Sequence, residues 1–175
     1  MIRYSFILMC VCICAALVLS VTNKFTEPRI EAQVLEEEML ALQEIFSDAD
    51  DFQKAEIEGQ EYYQAIAKGE LIGYIITVVA KGYAADIDMR VGVSLDGAIQ
   101  GIKVLSQSET PGLGARVTEI KQGEEKPWFL CQFKGKNPDS LSLETIDAIT
   151  AATITSEAVI DAVKTEVGEF LTKVQ

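Results

Sequence analysis

The sequence predicts an α+β fold in which a single N-terminal transmembrane helix precedes a domain with a mainly antiparallel sheet and flanking helices. Three observations carry that reading. Twenty uncharged, mainly apolar residues lie between Arg3 and Lys24. Short runs rich in Tyr, Ile, Val and Thr alternate with Gly-containing breaks from Gln60 to Leu105. An apolar stripe of helical period, through Val159, Val163, Val167, Phe170 with Leu171, and Val174, closes the chain. Strands followed by a flanking helix mark an α+β domain.

The first element is "MIRYSFILMCVCICAALVLSVTNK", which as a helix rising about 1.5 Å per residue spans the roughly 30 Å hydrocarbon core. The competing reading is a cleaved signal peptide, but the stretch is longer than an ordinary h-region and "LVLSVTN" offers no small-x-small cleavage site. Arg3 and the terminal amine on one side face Lys24 and Arg29 on the other, so charge does not set its orientation. Next, Thr26, Glu27 and Pro28 read as a helix start. Val34, Leu35, Met39, Leu42, Ile45 and Phe46 then fall near helical spacing, which predicts an acidic amphipathic helix. Its Glu36, Glu37 and Glu38 read as a solvated face. "DADD" at 48–51 lacks the spaced loop and terminal Glu of an EF-hand and reads as a turn.

From Gln60 to Leu105 the breaks "KGE", "KGY" and "LDGAI" separate strands, and the Asp-Gly in "SLDGAIQGI" is a hairpin signal. "PWFLCQFKG" at 127–135 reads as a further strand with Cys131 as a buried thiol, and "SEAVIDAVKTEVGEFLTKV" as the closing helix packed on the sheet. The expected divisions are a transmembrane anchor over 1–25, an acidic helical connector over 26–58 and a folded domain over 59–175.

Composition narrows the function. Lys+Arg 15 against Asp+Glu 27 leaves a net charge of -12, which opposes a phosphate backbone and argues against nucleic acid as a partner. The chain has no histidine, which excludes a Ser-His-Asp triad, a Cys-His pair and imidazole metal sites. Redox or group-transfer chemistry here would rest on a bound cofactor. Cys10, Cys12 and Cys14 lie in the apolar segment. Their spacing of two scatters them about a helix axis, so they read as small apolar filler rather than as metal ligands.

Two constellations exceed what propensity or packing requires. In "SETPGLGAR", residues 108–116, Pro111, Gly112 and Gly114 shape a tight loop. It reads either as an ordinary Pro-Gly turn or as backbone approaching a ligand. In "IDAITAATITSEAV", residues 146–159, Thr150, Thr153, Thr155 and Ser156 gather beside Asp147 where the closing helix begins. The stretch reads either as a hydroxylated N-cap or as an anion site at a helix N-terminus, with a phosphate near Thr153 and small Ala151 and Ala152 leaving it room.

"DAITAATITS" closely resembles the flavinylation motif of the FMN-binding domain family: Asp, two residues, Ser or Thr, then Gly-Ala-Thr with Ser or Thr following. "SETPGLGAR" resembles that family's second signature, and "WFLCQFKGK" a third patch found in its RnfG and NqrC branch. The similarity runs from about Gly69 to the C-terminus, with the membrane helix in addition. It points to RnfG first and NqrC second. It implies that Thr153 carries FMN through a phosphoester to the ribityl phosphate, made by a separate flavin transferase with FAD as donor. Asp147, Thr150, Ala151, Ala152 and Thr155 would then be recognition and support positions, and Glu109, Thr110, Gly112, Leu113 and Gly114 would line the flavin side. Ala151 stands where the family usually has Gly, and Gln107 where RnfG proteins commonly carry a histidine.

On that resemblance the chain is an electron-carrying subunit of a cation-translocating ferredoxin:NAD oxidoreductase in the cytoplasmic (inner) membrane. Its soluble domain would be extracytoplasmic, beside subunits of the RnfA, RnfB, RnfC, RnfD and RnfE types. It would not be catalytic alone, and it carries no dinucleotide fingerprint of its own. The alternatives are an NqrC-like subunit of a Na-translocating NADH:quinone reductase, a free-standing membrane-anchored FMN-domain reductase, and an unflavinylated structural subunit.

Overall fold

The computed structural model describes residues 2–174, without the side chains at 2, 3, 5, 6, 10, 14, 25, 28, 29, 31, 32 and 35. The readings of the side chains of Arg3, Cys10, Cys14, Pro28, Arg29 and Leu35 therefore lie outside the described residues. Helix α1 runs unbroken over Ile2–Ile45. Its window Ile7–Lys24 is long and apolar enough to cross a membrane, and none of that window is buried. The expected helix start at Thr26–Pro28 is not a start: the backbone stays helical through it. No glycine stands before Pro28 to end the first segment, and the Thr26 hydroxyl donates back to the carbonyls of Thr22 and Asn23, 3.1 and 3.2 Å away.

The chain divides into two compact units, Met1–Leu40 and Ala41–Gln175. The expected apolar stripe of the acidic helix is realised only in the second: Leu42, Ile45 and Phe46 are buried, whereas Val34 and Met39 are exposed. Helix therefore fills only part of the connector expected over 26–58. After a turn at 47–48, residues Asp51–Ile57 form strand β1. Asp50 seats this entry, its carboxylate accepting from the Lys68 N–H at 2.8 Å.

Strands β2 (Gln60–Ala67), β3 (Glu70–Lys81), β4 (Asp86–Ser94) and β5 (Ile99–Gln107) follow. They pair antiparallel in the order β1-β2-β3-β4-β5, a simple meander. Two of its hairpins use two-residue turns with positive φ at both positions, Glu58-Gly59 and Lys68-Gly69, the geometry that matches strand twist. The Asp-Gly hairpin is a four-residue loop in which the Gly97 N–H donates to the Ser94 carbonyl at 3.0 Å.

The expected strand at 127–135 is instead a short helix, α2 (Trp128–Cys131). The buried residues are Phe129, Leu130 and Phe133, a spacing of one and four that fits a helical turn and not the period of two of a strand. Pro127 presets the entry. Cys131 consequently points outward and is exposed rather than buried.

Helix α3 (Thr153–Val174) packs on β3 and β4. Val159, Val163, Val167 and Phe170 meet Ile76, Val78, Ala80, Ile87, Met89, Val91 and Val93 in the main core. The opposite face of the sheet carries a smaller core in which Leu42, Ile45 and Phe46 meet Tyr63, Ala65 and Ile75. Phe46 is seated against two backbone positions that admit no side chain: a Cβ added at Gly73 would come within 2.5 Å of its ring, and one at Gly92 within 2.8 Å.

Candidate functional site

Three connections meet beside the N-terminus of α3: the β3–β4 turn at residues 82–85, the loop leaving β5 at 108–114, and the approach to α3 at 149–156. Glu109 joins them. The residue is 5% exposed. Oε1 accepts from the backbone N–H groups of Ala84 and Ala85 at 2.7 and 3.1 Å, and Oε2 accepts from the Thr155 hydroxyl at 2.7 Å. Burial by itself raises the pKa of this carboxyl, but the donors from Ala84, Thr155, Ala85 and Tyr83 together outweigh it and hold the group below its ordinary value. The carboxylate approaches Gly82 and Gly114 so closely that a Cβ at either would overlap it. The Glu109 N–H donates to the Gln107 side-chain carbonyl at 2.8 Å, which fixes the loop entry.

The approach to α3 is tied by Ser156, fully buried, whose hydroxyl accepts from the Ile149 N–H at 2.9 Å and donates to the Ala152 carbonyl at 3.0 Å. The Ala152 N–H closes a turn onto the Ile149 carbonyl at 2.9 Å. Ala151, the third residue of that turn, has φ +64°, a left-handed conformation that costs a non-glycine residue roughly 1–2 kcal/mol. This explains why glycine suits the position. Thr153 is then the first residue of α3, and its side chain is exposed. The first i→i−4 bond of the helix runs from Ser156 to Ala152, so the N–H groups of Thr153, Ile154 and Thr155 precede the intrahelical ladder.

A cavity of about 410 Å³ opens here, lined by Tyr83, Glu109, Thr110, Leu113, Gly114 and residues 151–155. Of the sequence-predicted positions, it gathers Thr153, Ala151, Ala152, Thr155, Glu109, Thr110, Leu113 and Gly114. Asp147, Thr150 and Gly112 are not part of its wall. Asp147 is held from behind: Gln132 accepts from its N–H at 2.8 Å and donates to its carbonyl at 3.1 Å, leaving the carboxylate exposed. Gly112, with φ +77°, shapes the loop. Tyr83 and Ile154 join the wall although the sequence reading does not single them out; the exposed tyrosine inside the "KGYAAD" break is the signal for the first. A larger cavity of about 520 Å³, between Glu44, β5 and residues 124–134, shares no lining residue with this one and contains no serine or threonine that could anchor a phosphate.

The FMN-binding domain family matches residues 82–167, which span this cavity, and the RnfG N-terminal region matches residues 1–45. The chain is 31% identical over 169 residues to the G-type subunit of the proton-translocating ferredoxin:NAD(+) oxidoreductase complex of Clostridium ljungdahlii, covering 92% of this chain and 86% of that one. It is 33% identical over 170 residues to the G-type subunit of the Na(+)-translocating ferredoxin:NAD(+) oxidoreductase complex of Acetobacterium woodii, covering 85% and 81%. The fold is similar to the crystal structure of NqrC from Shewanella oneidensis, with a TM-score of 0.52 at 21% identity over 70% of this chain and 67% of that one.

Proposed function

The chain belongs to the RnfG family, and on that premise we propose that its cavity holds FMN as a phosphoester of Thr153. It is a subunit of an ion-translocating ferredoxin:NAD oxidoreductase complex and carries an FMN-binding domain. It is anchored to the membrane through the apolar part of α1.

The observation that carries the attachment reading is the placement of Thr153. An exposed hydroxyl stands at the first position of a 22-residue helix, on the rim of a cavity, beside amides not yet engaged in the helix ladder. A phosphodiester there retains one negative charge, which the helix N-terminus stabilises without a lysine or arginine. Ala151 and Ala152 present no bulk at the linkage, and Thr155, tied to Glu109, orients the first turn. Thr110, Leu113, Gly114 and Tyr83 supply wall on the flavin side, and Gly112 turns their loop. Asp147 and Thr150, outside the wall, are recognition positions for a flavin transferase.

Attachment with FAD as donor balances simply. The Thr153 Oγ1–P bond forms, the pyrophosphate P–O bond breaks, AMP leaves, and the hydroxyl proton passes to solvent. When bound, the flavin supplies electron uptake and release between redox centres. The residues of this chain anchor it, shape its pocket and set its electrostatic surroundings. The absence of histidine fits a subunit that needs no general base. We place the anchor at 1–25 and the flavin domain in the sheet-bearing unit, on the extracytoplasmic side, working beside membrane subunits of the RnfA to RnfE types.

The test is co-expression with a flavin transferase, followed by denaturing electrophoresis and intact mass. A fluorescent band with a mass increase of one FMN is expected, and Thr153→Ala is expected to abolish both. Wild-type protein without an adduct, when the transferase modifies a control substrate, would overturn the covalent reading.

A further inference from the structure

The cavity beside Thr153 has one charged side chain in its wall. Among the lining residues only Glu109 carries a charge, and there is no lysine or arginine to offset it. The donors that hold its carboxylate are neutral, backbone N–H groups at Oε1 and a hydroxyl at Oε2. They stabilise the anion without cancelling its charge. The carboxylate is also held at both oxygens and confined by Gly82 and Gly114. Charges near a low-dielectric pocket interact far more strongly than in bulk water.

We propose that Glu109 is a fixed negative charge that lowers the reduction potential of the flavin held in this pocket. This rests on the attachment of FMN to Thr153. Adding an electron to a bound flavin adds negative charge, and a neighbouring anion disfavours that gain, as like charges disfavour each other's ionisation. The same anion disfavours the entry of free FMN, whose phosphate is a monoester and carries more negative charge than a diester does. Retention of the cofactor then depends on the covalent bond to Thr153. Glu109 is thus a positioning residue for the pocket walls and an electrostatic one for the cofactor.

Glu109→Gln separates the two roles. A glutamine keeps a carbonyl oxygen for the Ala84 and Ala85 N–H groups, and its NH₂ can donate to a rotated Thr155 hydroxyl, so the clamp is kept while the charge is removed. Full-length protein, flavinylated and purified in detergent, is titrated spectroelectrochemically after the adduct has been located on Thr153 by peptide mass. The midpoint potential of Glu109→Gln is expected to lie above that of the wild type. Glu58→Gln is the control. Glu58 pairs with Lys173, at the far end of the 22-residue helix α3 and so on the order of 30 Å away, well beyond the screening length. It is expected to leave the potential unchanged.

An unchanged or lower potential in Glu109→Gln, with the adduct present, overturns the proposal. A wild type that takes no adduct overturns the attachment reading instead, so the two failures are distinguishable. If Glu109→Gln alone takes no adduct, Thr155→Val decides. It keeps the charge and removes one of the neutral dipoles that partly offset its field, so a fall in potential supports the proposal, and no change or a rise overturns it.

Discussion

Phe46 and Glu109 are each seated against a pair of glycines, yet different physics holds them. Phe46 lies over Gly73 and Gly92 and is retained by contact with Ile45, Tyr63, Ala65 and Ile75. Glu109 lies between Gly82 and Gly114 and is retained by directional hydrogen bonds from Ala84, Ala85 and Thr155. The apolar seat ends a helix on a sheet. Its stabilisation scales with area, and no single atom decides it. The polar seat brings three loops to one point: two bonds fix the β3–β4 turn and one fixes the start of α3 against the loop that carries Glu109. In this molecule apolar burial positions a structural element, whereas directed bonding positions the walls of a site.

The sharpest way to break that comparison is to empty the apolar seat. Phe46→Ala is expected to cost about 3–5 kcal/mol of unfolding free energy, the range for deleting a buried aromatic ring, measured by denaturant titration of the full chain in detergent. A cost near zero would mean that the recess over Gly73 and Gly92 collapses without penalty and that the ring is not what holds α1's last turn.

Acid tests the polar seat. The Glu109 carboxyl is held below its ordinary value in the folded protein, so its stabilising contribution is complete above the pKa it has when unfolded. It is lost as pH falls through the lower, folded value. Wild-type protein should therefore lose more stability than Glu109→Gln between neutral pH and the acid side of the carboxylate range. Parallel losses in denaturant melts at the two pH values would show that the carboxylate contributes nothing specific.

The smallest effect is expected at the turn that presents Thr153. Ala151→Gly relieves the positive φ but adds freedom to the unfolded chain, leaving a net gain of about 1 kcal/mol or less. Thermal unfolding would read it, and a loss of stability would show that the Ala151 methyl makes a contact worth more than the strain.

What the sequence makes legible divides along the same contrast. The hairpins after β2 and β4 are readable because Gly69 and Gly97 occupy turn positions, and α3 because its apolar stripe keeps one period over most of its length. The loop at 108–114 and the hydroxyls at 150–156 stand out because their residue types exceed what packing needs. Strand β1 does not show in the sequence, because an edge strand carrying Gln53, Lys54 and Glu56 has little apolar alternation. Trp128–Cys131 reads wrongly as strand because a short aromatic run suits strand and helix alike until the buried set is known. The close approaches at glycines 73, 82 and 92 are silent, since they are a property of partners distant in the chain.

The Glu109 clamp also bears on when the site comes into being. Its partners lie 24, 25 and 46 residues away along the chain, whereas β1 to β5 each pair with the next strand in sequence. Loop-closure entropy grows with the separation to be bridged, so the meander can assemble from short closures while the cavity must await the docking of α3. The hydroxyl of Thr153 stands on its completed rim only at the end of that order. On the proposed attachment, a transferase that reads the rim would thereby discriminate finished chains from unfinished ones, and the modification would record maturation.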